Sequence, residues 1–323
     1  MIRRPYLVLI KIAGLALVLL LALLVYTFIP MKLDVEADQT VNTFSTVHKP
    51  DPSELPDVKL SLLKAGKMLS QQSFSWRGGK WGVTYESGMA AALIQHPQMS
   101  FLYDAGFGAN VDAHAKAMPW LMQKLANYVK ETPAAEQLRQ NGIAPDSIKT
   151  IFISHSHWDH ISGLEDFPNA EVRMPPAEIE FIRAHKMPGL VDQMIDRLKV
   201  KTFDFISRPY ENFDRSFDLF GDGSIVFVPL PGHTDGSNGM FVNLRSGNRF
   251  FFIGDLTWAL EGCQLPAERP WLARKLVDYD EAEVRRAVVK VHQLMRQYPD
   301  LTVVPAHDRR VHQQIATLPN FEH

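Results

Sequence analysis

Seven side chains of this sequence could hold metal ions, and four of them fall within six consecutive positions: His155, His157, Asp159 and His160 in the run His155-Ser-His-Trp-Asp-His160. The other three, His233, Asp255 and His307, follow one at a time. Neutral imidazoles with a few carboxylates are the set that zinc takes in catalytic sites, where one position stays open for water; manganese and iron use similar sets. His155 and His157 are two apart, the spacing at which an extended chain sends side chains to one side, so both can face one ion. Asp159 and His160 fall where the chain turns and can face a second. Seven donors suffice for two divalent ions. The chemistry that two adjacent cations support is hydrolysis, in which a water between them loses a proton near neutral pH and becomes the nucleophile. One cation polarises a carbonyl or phosphoryl oxygen while the other takes the charge developing on the leaving oxygen. Asp159 is the natural residue to orient the attacking water, and no serine or cysteine nucleophile is needed.

Strand-like runs must deliver these donors. Ile151-Phe-Ile-Ser154 ends directly in the first cluster, Ile225 to Leu230 leads into Pro231-Gly-His233, Phe250-Phe-Phe-Ile-Gly254 precedes Asp255, and Thr302-Val-Val-Pro-Ala precedes His307. A lone His or Asp at a strand end is ordinary turn or capping chemistry. A solvated His-rich turn would explain the first cluster, but not three further strands that each end in a donor. Ends of neighbouring strands converge, so four such endings point to one site.

With these motifs the chain resembles the metallo-β-lactamase superfamily, in its large hydrolase branch with an HxHxDH signature, over about residues 68 to 312. The resemblance implies an α/β fold, the αββα sandwich, with helices covering two sheets and two Zn(2+) ions at one edge. It implies that His155, His157 and His233 hold the first ion, that Asp159, His160 and His307 hold the second, and that Asp255 bridges them. Leu102-Tyr-Asp104-Ala-Gly106 looks like the family's early strand-end acid, which makes Asp104 a support behind a ligand, although an acid before Gly106 is also ordinary turn chemistry. Asp255 stands where a zinc β-lactamase would usually have Cys or Ser, which disfavours β-lactam hydrolysis. The pattern is closest to the quorum-quenching lactonase branch, so the favoured substrate is a carboxylic ester or lactone, a small molecule or a lipid. That branch tends to place Tyr three residues after the bridging Asp, and this chain has Trp258 there. Trp258 and Trp271, with Leu256, Leu260, Leu265 and Leu272, read as an apolar pocket rim or lid, or equally as core packing. The alternatives are a phosphodiesterase or phospholipase of the same fold, an iron-dependent oxidoreductase of the same fold, or a non-catalytic metal-binding protein.

Composition bounds the rest. With 34 basic and 36 acidic residues in 323, the formal charge is −2 and no global basic surface exists, which argues against a nucleic-acid partner. Cys263 is the single cysteine, so no internal disulfide forms. After Arg3 and Arg4, an apolar stretch from Tyr6 to Ile29 is broken by Lys11 alone, and its unbroken part of 18 residues is long enough to cross a bilayer. It exceeds the apolar region of a cleaved signal peptide, and no A-x-A-like site follows before Pro30. The expected organisation is a cytoplasmic tip and membrane anchor over 1–30, a polar stalk over 31–66 and a catalytic domain over 67–323, placed by the positive-inside rule on the outer, periplasmic side. Within the domain the pattern predicts helices over 120–130, 133–141 (capped by Thr132 with Pro133 first), 176–185, 190–198 and 280–298. Strands are predicted over 89–95, 100–103, 148–154, 224–230, 240–244, 249–253 and 301–304, and an amphipathic segment over 58–67.

Overall fold

The protein is described by a computed structural model covering residues 4–35, 50–185 and 187–323; residues 36–49 of the expected stalk lie outside the described residues. Among the described residues, twelve strands form two sheets. The first holds β1 (Lys59–Gln71), β2 (Thr84–His96), β3 (Met99–Tyr103), β4 (Tyr128–Lys130), β5 (Thr150–Phe152), β6 (Glu171–Met174) and β7 (Lys199–Thr202), in the order β4-β1-β2-β3-β5-β6-β7. The second holds β8 (Phe217–Asp218), β9 (Ile225–Pro229), β10 (Asn238–Asn243), β11 (Arg249–Phe252) and β12 (Leu301–Val304), in the order β12-β11-β10-β9-β8.

Alternation along the strands creates two apolar faces on each sheet. Ile225 and Phe227 point between the sheets, where they meet Leu60, Phe101 and Phe152, while Val226 and Val228 point outward. The outward face is covered by the helix Glu281–Gln297, whose Val284, Ala287, Val288, Val291 and Leu294 recur at helical spacing. Its start is fixed by Asp280, whose carboxylate accepts from the backbone N–H of Ala282 (2.8 Å) and Glu283 (3.0 Å). The outer face of the first sheet is covered by Val111, Leu138, Phe181 and Val191 from four helices. Each such buried side chain stabilises the fold by about 1.5–3 kcal/mol relative to exposure, which three stacked cores multiply. This is the αββα sandwich.

Besides β6, β7 and β8, short strands that the sequence pattern does not announce, sequence and structure part in three places. The expected boundary at residue 66 falls inside β1, which begins at Lys59 and buries Leu60, Leu62 and Leu63. The segment 58–67 is thus a central strand, and the domain starts before residue 67. The helix expected over 120–130 stops at Leu125, and Tyr128–Lys130 becomes an edge strand because Tyr128 pairs with Met68 and donates its hydroxyl to Asp112 (2.8 Å). The helix at 133–141 runs Ala134–Gln140 with Pro133 preceding it, so Thr132 is not its cap.

Candidate metal centre

β3 runs parallel to β5, and β12 parallel to β11; β9, separated from β11 by one antiparallel strand, runs the same way as β11. Their C-terminal ends therefore meet at one edge of the sandwich. After β5, Ser154 donates its backbone N–H (2.7 Å) and its hydroxyl (2.8 Å) to Asp104 at the end of β3. Asp104 makes both bonds from the left-handed backbone region, φ +58°, a conformation that Asp tolerates better than most residues. The chain reaches His157 in an extended conformation (φ −68°, ψ 147°), and the helical turn Trp158–Ile161 lifts Asp159 and His160. On the other sheet Gly232 has φ +124°, and a Cβ there would lie 2.6 Å from the amide nitrogen of Val284, so only glycine lets the His233 loop lie against the helix start.

The seven residues converge in two groups: His155, His157, His233 and Asp255, and beside them Asp159, His160 and His307, with one candidate atom from each residue of a group lying within 4.8 Å of the others. In the first group Nδ1 of His157 lies 3.1 Å from Nε2 of His155 and 2.8 Å from Nε2 of His233. In the second, Nε2 of His160 and Nε2 of His307 are 3.3 Å apart. Asp255 spans both: its Oδ1 is 3.2 Å from His160 Nε2 and 3.0 Å from His307 Nε2, and its Oδ2 is 3.5 Å from His233 Nε2. Asp159 Oδ2 approaches His307 Nε2 at 3.4 Å. All are buried except His157, which is half-buried and marks the open side.

Nearly every outer ring nitrogen is anchored. His160 Nδ1 faces Asp104 Oδ2 (2.9 Å), His233 Nδ1 faces Asp278 Oδ1 (3.0 Å), His307 Nδ1 faces the carbonyl of Gly88 (2.9 Å), and His155 Nδ1 faces the Ser154 hydroxyl (3.0 Å). With the outer nitrogen carrying the proton, the inner one offers a lone pair. Buried lone pairs aimed at one another within about 3 Å are unfavourable unless a cation lies among them, and Asp255 Oδ1, enclosed and without a well-directed hydrogen bond, has the same need. The donor set therefore fits divalent metal.

Charge differs across the site. Burial, followed by the neighbouring imidazoles of His160, His157 and His233, holds His155 well below the ordinary histidine range; burial and His233 do the same to His157. Burial acts against charge on His160 and His307 too, but Asp104 and Asp255 outweigh it for His160 and Asp255 for His307, so both are raised. Burial would raise Asp255, yet His307 and His160 hold it well below the usual carboxylate range.

Of the two tryptophans expected at a substrate pocket, Trp258 is at the site but directs its one donor inward, from Nε1 to Asp255 Oδ2 (3.0 Å). Its ring lies 6.3 Å from that of Phe74 in a stacked arrangement. Trp271 is half-buried at the start of the helix Trp271–Val277, which touches the N-terminal helix; among the described contacts nothing joins it to the histidines. Leu256 packs in the core, whereas Leu265 and Leu272 are exposed.

Three supports escaped the sequence reading. Asp278, its carboxylate enclosed, receives both His233 and Arg269 Nη1 (2.6 Å), and Arg269 Nη2 also donates to the backbone carbonyl of Asp255. Glu178, fully buried, accepts from the Ser156 amide (2.7 Å) and hydroxyl, from Thr234 Oγ1 (2.6 Å) and from the Gly236 amide (3.0 Å), tying the two histidine loops together. Burial raises its carboxyl above the ordinary range against those four bonds. In sequence Glu178 is a first-turn helix acid, and Asp278 one of several acids before a helix; only the long-range contacts distinguish them.

The profile described as the metallo-beta-lactamase superfamily matches residues 90–307. A probable metallo-hydrolase, Mb2322c of Mycobacterium bovis, is 28% identical over 242 residues, 68% of this chain and 74% of its own length. The N-acyl homoserine lactonase AiiB of Agrobacterium fabrum is 28% identical over 71% of this chain and 82% of its own, and the lactonase AttM of Rhizobium radiobacter 22% identical over 83% and 99%. Among solved structures, an N-acyl homoserine lactone hydrolase with N-hexanoyl-L-homoserine at its catalytic metal centre superimposes with TM-score 0.66 at 14% identity, over 83% of this chain and all of that one. AidC, a dizinc quorum-quenching lactonase, gives 0.53 at 17%, over 88% and 94%.

Proposed function

The chain belongs to the metallo-beta-lactamase superfamily and is a metal-dependent hydrolase of the lactone and ester class; from that premise we propose that it is a membrane-anchored, dinuclear zinc enzyme. The observation that carries the dinuclear reading is Asp255, whose two carboxylate oxygens face the two donor groups separately. His155, His157 and His233 would hold one ion and Asp159, His160 and His307 the other. When bound, such a pair supplies a nucleophilic water at neutral pH and an electrophile for the substrate carbonyl. The chain's own part is positioning. Asp104 and Asp278 fix the tautomers of His160 and His233, Trp258 and Arg269 hold the side chain and backbone of Asp255, and Asp159 orients the attacking water. The half-buried edge at His157 is where a substrate enters.

The anchor reading rests on the segment Val8–Phe28, 21 residues with mean hydropathy 3.0, exposed along its length until Thr27 and Phe28 meet the domain. Its retention in the working protein is supported by Arg77, a buried guanidinium that donates from Nη2 to the Tyr26 carbonyl (2.6 Å) and from Nε to the Ile29 carbonyl (3.0 Å). Removal of residues up to 30 would take both bonds from Arg77 and uncover a side chain that the folded protein buries. The catalytic domain would lie on the outer side of the membrane.

The test is hydrolysis by the full chain in detergent of an acyl-homoserine lactone, p-nitrophenyl acetate and a phosphodiester. Loss of lactone hydrolysis on chelation and recovery with two equivalents of zinc is the expected result. Preference for the phosphodiester, or recovery with iron alone, would overturn it.

A further inference from the structure

The end of the N-terminal helix is fastened to the domain at one place. Arg77 caps its last carbonyls and lies 5.1 Å over the ring of Tyr26, Phe28 meets Trp81 edge-on with ring centroids 4.4 Å apart, and the helix Trp271–Val277 touches it. Just beyond, Lys32 bridges to Ala267, and the Leu33 amide donates to the Pro266 carbonyl at 2.8 Å. At this place apolar side chains stand open to solvent: Trp81 is 66% exposed, Leu272 45% and Leu276 49%. Leu272 and Leu276 are one helical turn apart, on one face of a short helix. Lys32 and Lys80, both exposed, flank the same junction. Tryptophan beside lysine at the end of an apolar span is the composition of a membrane–water interface, with the ring at headgroup level and the ammonium reaching phosphate.

The same junction leads to the metal centre by two short routes. The segment strapped to residues 32 and 33 runs on into Arg269, which holds Asp255 and Asp278. The short helix Gln72–Ser75 ahead of Arg77 carries Phe74, which stacks on Trp258. We propose that Trp81, Leu272 and Leu276 lie in the bilayer that holds the N-terminal helix, and that the substrate is an amphiphile taken from that bilayer, an ester or lactone with a long acyl chain. The proposal rests on the anchored-hydrolase reading above and adds to it the face that meets the membrane and the class of acyl group. The occupant is the bilayer because any membrane that receives the helix must meet the domain beside Phe28, where Trp81 stands and where the helix that carries Leu272 and Leu276 touches the N-terminal helix. A long acyl chain concentrates its ester in that layer, next to the wall formed by Phe74 and Trp258.

The experiment uses the zinc-loaded full chain in vesicles of phosphatidylethanolamine and phosphatidylglycerol. With a shallow nitroxide-labelled phospholipid added, wild type should lose more tryptophan fluorescence than Trp81→Phe. Equal quenching in the two, as expected where water or a second copy of the chain covers this face, overturns the docking. In the same vesicles Leu272→Gln combined with Leu276→Gln should lower kcat/KM for dodecanoyl-homoserine lactone about tenfold while leaving the butanoyl compound unchanged. An equal effect on both chain lengths, or none, overturns the substrate class. No hydrolysis of either compound by the metal-loaded wild type would instead sink the lactonase reading, and the quenching result would still decide the docking.

Discussion

The donors on the two sides of Asp255 lie in one enclosed edge of the sandwich, yet His155 and His157 are driven one way and His160 and His307 the other. On the side of His155 and His157, burial and crowding among imidazoles favour the neutral ring. On the side of His160 and His307, burial acts the same way but carboxylates outweigh it, Asp104 behind His160 and Asp255 in front of both. The difference teaches that carboxylate placement decides which half is ready for a cation. Rings that are already neutral can take a metal without releasing protons, whereas raised rings must give theirs up first.

Asp255 belongs to both halves, so its loss should have the largest effect and blur the contrast. Asp255→Ala is expected to lower lactone turnover by at least about a thousandfold and to reduce bound zinc below one equivalent, measured by elemental analysis. Asp159→Ala should cost turnover but keep the first equivalent; equal metal loss in both variants breaks the two-sided picture. Next in size is the pH dependence of loading. Calorimetric zinc titration of the metal-free chain should release more protons for the equivalent taken by His160 and His307 than for the one taken with His155 and His157, so that the former loses affinity more steeply as the solution is acidified. Equal proton release at both sites would overturn the contrast.

How much of this the sequence carried depends on range. The cluster His155 to His160 is legible because four donors sit within one turn of chain after an apolar run, and His233, Asp255 and His307 because each ends a strand of five or so apolar residues. The helices with clear apolar periodicity, at 176–185 and 281–297, appear within a residue or two of expectation. What failed had no local signal. β1 reads as amphipathic because part of it faces the helices and part the other sheet, and β4 forms only because β1 offers it an edge. Glu178, Asp278 and Arg269 act across 56, 45 and 14 residues of sequence respectively, on Thr234, His233 and Asp255, so their roles exist only in the folded chain.

Two substitutions separate the halves without touching a donor. Asp104→Asn should weaken zinc at the His160 side, and Asp278→Asn at the His233 side, each by about 10–100-fold in affinity, because the outer partner fixes ring orientation and basicity. Competition against a chromophoric chelator, with cobalt absorption reporting which site has changed, distinguishes them. Identical spectra for the two variants would mean that the supports act on the fold as a whole.

His312 isolates burial from carboxylate. It is as enclosed as His307, but its Nε2 meets the Pro305 carbonyl at 3.0 Å and its Nδ1 has no hydrogen-bond partner, so no carboxylate bonds either nitrogen. Burial, with a smaller push from His307, lowers it to about 4, opposed by the Pro305 carbonyl and by the weaker pull of Asp308. Between about pH 6.5 and about pH 4 the unfolded chain therefore binds a proton that the folded chain refuses. The contribution to stability is complete above the unfolded value and is lost as pH falls towards the folded one, roughly 2 kcal/mol by about pH 5. His312→Phe lacks that proton, so with zinc saturating the other histidines its unfolding free energy in detergent should fall less than that of wild type between about pH 7.5 and about pH 5, by that amount. Parallel curves would mean that water or a neighbouring charge reaches His312 after all, and that enclosure alone does not set the neutral side of the comparison.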